Sequence, residues 1–179
     1  NESAPAMTLL CRAQDFTPPY RLLMGPGPSL VHPRVLQALS RPLLGHLDPL
    51  FLDLMNEIQA LLRSTFRTEN EFTIALSGTG SAGMEAVIAN LIEPGDRVIV
   101  GINGVFGSRL ATIIQRQGGV PLRIEAPWGA TISSEALKDQ LSRSGPVKAV
   151  VLVHAETSTG AWQPLEEVGS LCRAHGALL

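Results

Sequence analysis

The chain has 179 residues, 45% of them hydrophobic, with mean hydropathy +0.18, a formal charge of −2 and a pI near 6.1. That length supports one domain with a real core, and the composition excludes a disordered or fibrous chain. Near-neutral charge without a Lys/Arg cluster removes the electrostatic case for nucleic acid, and no apolar run approaches the roughly 20 residues that span a membrane. Cys11 and Cys172 stand far apart without zinc-ligand spacing. No metal site or disulfide framework is indicated, and reduced thiols in a cytoplasmic protein are the expectation.

Residues 1–21 contain Pro5, Pro18 and Pro19 and show no periodicity, so they read as an extended arm. The stretch Gly25-Pro-Gly-Pro-Ser29 is a rigid connector in which each proline fixes its own φ. It is either a plain structural turn or a backbone lip at a site. A short helix is predicted over 32–40, opening at Pro33. From Pro49 to Phe66, Leu50, Leu54, Ile58, Leu61, Leu62 and Phe66 recur at helical spacing behind Asp48 as N-cap, which predicts an amphipathic packing helix.

Phe72 to Asn90 reads as a strand, a tight Gly/Ser/Thr loop and a helix. Gly78 and Gly80 allow a sharp turn, Thr79 and Ser81 offer hydroxyls, and the first-turn N–H groups have no intrahelical acceptor. Such a helix start suits an anion. No lysine follows the last glycine as a Walker loop requires, so a capped turn without ligand stays equally open at this point.

Beyond it, strands are predicted at 97–101, 120–125 and 147–154, with helices over 106–117, from Ser133 to Leu141 and from Gln163 or Pro164 to about His175. This alternation implies βαβ units and a mostly parallel sheet covered on both faces. Three loops then follow strand ends along one rim: SGTGS, INGVFGS and HAETSTG. Phosphate donors, the aromatic Phe106 and the polar group His154, Glu156, Thr157 and Ser158 together suit a flat phosphorylated aromatic ligand. The C-terminal HGALL reads as the start of a buried strand, so further polypeptide is expected after Leu179.

GPGPS at 25–29, GHLDP at 45–49, SGTGSAGMEA at 77–86, NGVFG at 103–107 and HAETSTG at 154–160 resemble, in order and spacing, the class V pyridoxal-phosphate aminotransferases. Within them the chain is most similar to the alanine–glyoxylate and serine–glyoxylate (serine–pyruvate) group, over residues 20–179. The resemblance implies an α/β fold, the large domain of fold type I pyridoxal-phosphate-dependent transferases. Residues 22–179 would form its N-terminal part, with a small C-terminal domain beyond.

It also implies site residues. Thr79, Gly80 and Ser81 match the loop that binds the cofactor phosphate, and Phe106 matches an aromatic, commonly Trp, that stacks on the pyridine ring. Thr157 matches a hydroxyl residue near the phenolic oxygen, and Gly27 a backbone lip near the substrate. His46 and Glu156 belong to the motifs without an assigned role. No catalytic residue is expected within the chain: the Asp that holds the pyridine nitrogen and the Schiff-base lysine would lie beyond Leu179. Lys138 and Lys148 cannot replace that lysine, one being on a helix and the other at the start of a strand, away from the rim. The implied partners are amino acid and 2-oxo acid substrates and a second copy in a homodimer. Another class V activity, such as a lyase or desulfurase, and a non-catalytic phosphate-ligand module are the alternatives.

Overall fold

The computed structural model describes residues 18–179. Most of the expected arm, with Cys11, lies outside the described residues. The chain separates into two compact units, one ending at Phe51 and the other running from Leu52 to Leu179.

In the first unit, α1 (Pro33–Leu39) has Pro33 in its first turn, where a missing N–H costs nothing. His32 caps it, Nδ1 accepting the Arg34 amide at 3.2 Å. Gly27 belongs to this unit, in the bend before the helix. Helix α2 has the expected limits, Pro49–Phe66, with its residues from Leu52 onward in the second unit, and Asp48 Oδ1 accepts the Leu50 amide at 2.9 Å. Its expected packing role needs correction. Leu50, Leu61 and Phe66 are 66%, 60% and 72% exposed, and the helix buries no residue. Periodicity shapes the stripe, but burial needs an opposing surface, and among the described residues only Ile58 and Leu62 of the stripe are partly covered.

The second unit carries the core. Helix α3 (Gly80–Leu91) begins where the Gly/Ser/Thr loop places it, with Thr79 as N-cap and Oγ1 accepting the Ala82 amide at 3.2 Å. The strand expected from Phe72 does not form: residues 72–76 are irregular, with Phe72 84% exposed. An apolar β-branched run becomes a strand only by pairing its N–H and C=O groups with a neighbour. No strand among the described residues pairs with it.

Strands β1 (Arg97–Ile102), β2 (Val120–Glu125) and β3 (Ala149–Val151) form a parallel sheet in the order β2-β1-β3. β1 and β2 are joined through α4 (Val105–Arg116). Leu178 extends the sheet beyond β3: the Val150 amide donates to its carbonyl at 2.8 Å and its own amide to Lys148 O at 3.1 Å. The predicted strand over 147–154 is thus shorter than expected: residues 152–154 are irregular and lead into a hairpin of β4 (Ala155–Glu156) and β5 (Ala161–Trp162).

Period-two alternation along β1 sorts its side chains onto two faces. Val98, Val100 and Ile102 pack with Ile88 of α3 and Leu110, Ala111 and Ile114 of α4. Ile99 and Val150 face Leu137 and Leu141 of α5 (Ser134–Ser144) and Val168 and Cys172 of α6 (Val168–Ala174). Each fully buried aliphatic side chain contributes about 1.5–3 kcal/mol. The expected parallel sheet with helices on both faces is therefore present, in part. Helix α6 starts later than Gln163 or Pro164 because Gln163 is otherwise engaged: buried, it accepts the Ile132 amide at 2.8 Å and donates to the Ile132 carbonyl at 3.1 Å.

Candidate functional site

An open cavity of about 740 Å³ lies at the carboxyl end of β3, beside the helix that follows β1. Its walls come from the start of α3 (Thr79, Gly80, Ser81), from Phe106 and Arg109 on α4, and from residues 151–155 after β3. Thr79, Gly80, Ser81 and Phe106 are therefore brought together on one cavity. Thr157 is exposed in the β4–β5 turn, two residues beyond Ala155, and is not part of the wall.

The start of α3 is chemically open. Thr79 Oγ1 takes the Ala82 amide and Thr79 O takes the Gly83 amide at 3.1 Å, while the Gly80 and Ser81 amides meet no acceptor among the described residues. A β-carbon on Gly80 would meet no atom within 4 Å, so the space in front of it is free. Two aimed donors at a positive helix terminus and an empty volume fit a phosphate monoester.

Arg109 was not singled out by the sequence reading. Its Nη1 donates to Ser81 Oγ at 2.5 Å, and its guanidinium lies 4.9 Å from the centre of the Phe106 ring. One cation thus touches both the hydroxyl of the cradle and the aromatic wall. Its spacing three residues after Phe106 on one helix was the available signal.

Phe106 sits at the start of α4, whose N-cap, Gly104, has no side chain to offer. The buried Glu156 caps this helix from another segment: Oε2 accepts the amides of Phe106 and Gly107, each at 3.1 Å. Oε1 accepts the Ser158 hydroxyl at 2.5 Å, and that hydroxyl in turn accepts the Val105 amide at 3.0 Å. Three orphan donors of the first turn are satisfied. Gly104 is extended (φ 177) and so not conformationally special; a β-carbon there would lie 2.5 Å from Glu156 Cγ and Cδ. Glycine is needed for that approach.

His154 also lines the cavity. Trp162 Nε1 donates to its Nε2 at 3.3 Å, so Nε2 carries the lone pair and Nδ1 donates to the Gln163 carbonyl at 2.9 Å. His46 lies in the first unit and Glu156 in the second. Lys138 is on α5 and Lys148 immediately before β3, at the strand end opposite the cavity.

Cys172 is buried in the core, where burial pushes its thiol up despite the opposing charge of Arg173. It cannot serve as a mobile nucleophile. Iodoacetamide followed by peptide mapping is expected to leave Cys172 unmodified in the folded protein and to label it after denaturation; ready labelling of the folded protein would contradict this placement.

The fold and this site define an α/β domain in which a parallel sheet presents an open helix N-terminus and an aromatic face on one cavity at its carboxyl edge. A family model described as aminotransferase class-V matches residues 22–179, and the chain belongs to that family. It is 54% identical to the alanine–glyoxylate aminotransferase of Nostoc sp., whose crystal structure superposes with a TM-score of 0.87 over 92% of this chain and 44% of that one. It is 41% identical to (S)-ureidoglycine–glyoxylate transaminase of Bacillus subtilis, over 92% of this chain and 39% of that protein. The alanine–glyoxylate aminotransferase of Drosophila melanogaster is 40% identical, over 90% of this chain and 41% of its own length. The chain thus spans about two-fifths of the relatives it matches, and its fold is part of the large domain of fold type I aminotransferases. No helix among the described residues is long and apolar enough to cross a membrane.

Proposed function

We propose that the whole protein, of which this chain is the N-terminal portion, is a pyridoxal-phosphate-dependent aminotransferase that moves the amino group of alanine or serine to glyoxylate. The observation that carries the reading is the shared cavity: free amides at Gly80 and Ser81 beside the half-buried Phe106 and the cationic Arg109. When bound, the cofactor supplies an aldehyde that carries the amino group and a ring that draws electron density from the substrate Cα.

The residues of this chain bind and orient. The Gly80 and Ser81 amides would donate to the phosphate, with Thr79 and Ser81 offering hydroxyls, and Phe106 would give a π-face to the pyridine ring. Thr157 would donate near the phenolic oxygen, and Gly27 would approach the substrate. The pyridine-nitrogen Asp and the Schiff-base lysine lie, in this reading, after Leu179. Glyoxylate as acceptor is supported by the relatives' names, which share it while their donors differ. A homodimer in the cytoplasm completes the proposal; the exposed apolar stripe of α2 supports a second copy.

The full-length protein, incubated with glyoxylate and either alanine or serine, is expected to form glycine together with the donor's 2-oxo acid. Absence of amino transfer with every donor tried would overturn the reading.

A further inference from the structure

We propose that Glu156 is the positioning residue for Phe106, holding the aromatic wall of the cavity at a fixed height relative to the phosphate cradle. The proposal deepens the cofactor reading and rests on it. Glu156 is fully buried, yet its carboxylate accepts backbone donors of a helix 49 and 50 residues away in sequence. It accepts the Phe106 amide itself, so the backbone that carries the ring hangs on this one side chain.

Its neighbours explain why the restraint reaches the ligand. Ala155, one residue before it, lines the cavity, and β4, which contains both, pairs with β5 through Ala155 with Trp162 and Glu156 with Ala161. Glu156 therefore couples the loop after β1 to the hairpin after β3, the two segments that must agree for a flat ring to be gripped. Gly104 is the complementary signature, since any side chain there would expel the carboxylate. The backbone amides of the cradle, at Gly80 and Ser81, are set separately by the capped end of α3, and Arg109 of α4 reaches only the Ser81 hydroxyl there. Loss of Glu156 should consequently weaken recognition of the ring and spare recognition of the phosphate. An amide in place of the carboxylate keeps the volume but turns an N–H₂ toward N–H or O–H donors, leaving at least one of them unpaired.

The test uses the full-length apoprotein, titrated with pyridoxal phosphate by calorimetry and with inorganic phosphate by competition against it. Glu156→Gln is expected to weaken pyridoxal phosphate about tenfold and to leave the inhibition constant of phosphate within about twofold. Amide hydrogen exchange at residues 105–108 should rise in parallel. Unchanged affinity for pyridoxal phosphate, or equal weakening of both ligands, would overturn the positioning role. Wild-type protein that binds no pyridoxal phosphate would instead overturn the cofactor reading, and this inference with it. If Glu156→Gln does not fold, Ser158→Ala removes only the hydroxyl between Glu156 and the Val105 amide. It should shift the same ratio about threefold in the same direction, and no shift would contradict the proposal.

Discussion

Replacing Gly107 by alanine is expected to cost the protein about 3 kcal/mol, at the top of the range for overpacking a tight contact. A β-carbon at that position would lie 2.7 Å from the Gly101 carbonyl oxygen and 2.9 Å from Ile102 Cα. Both obstacles are backbone of β1, the central strand, which is hydrogen-bonded to β2 and β3 and cannot give way like a side-chain end. Relief would require α4 to lift off the sheet, opening the contacts of Leu110, Ala111 and Ile114 with Val98, Val100 and Ile102. The same movement would drag Phe106 and the Gly107 amide away from Glu156. Denaturant unfolding of the full-length variant should show a lowered midpoint. A stability within about 0.5 kcal/mol of wild type would mean that the helix does not sit this close to the strand.

The second large effect is local to the ligand. Gly80→Val should leave the apoprotein folded, because a β-carbon at Gly80 meets nothing within 4 Å and the residue lies in an exposed helix start. The branched side chain would fill the space in front of the Gly80 and Ser81 amides. Loss of one charge-assisted hydrogen bond is worth about 1.5–3 kcal/mol, so affinity for pyridoxal phosphate should fall about 10- to 100-fold. Equilibrium dialysis of the full-length apoprotein measures this directly. Wild-type affinity in a folded Gly80→Val protein would place the phosphate elsewhere.

These two glycines show what the sequence could and could not convey. The start of α3 was legible because its signals are local: Thr79 caps three residues ahead, and the glycines flank it. The limits of α2 were legible from periodicity and from Asp48. The strand expected at 72–76 was misread because its propensity is local but its hydrogen bonds are not, and no neighbour pairs with it among the described residues. The continuous apolar stretch to His154 concealed the break after Val151, since irregular residues that follow a strand can continue its hydrophobic run.

The site followed the same division. Thr79, Gly80, Ser81 and Phe106 lie on one cavity as the strand-end rule suggested. Thr157 does not line it and Gly27 belongs to the other unit, and their roles rest on the resemblance alone. The capping of α4 by Glu156 joins positions some fifty residues apart, and no periodicity or motif spacing encodes such a bond. Arg109 likewise declares its role only when Ser81, 28 residues earlier, is folded beside it.

The central claim is that the start of α3 and the Phe106 face form the cofactor end of an aminotransferase site. A crystal structure of the full-length protein with pyridoxal phosphate tests it most directly. The phosphate is expected within hydrogen-bond reach of the Gly80 and Ser81 amides, with the pyridine ring against Phe106. A phosphate bound away from the α3 terminus, or a ring that does not meet Phe106, would contradict it.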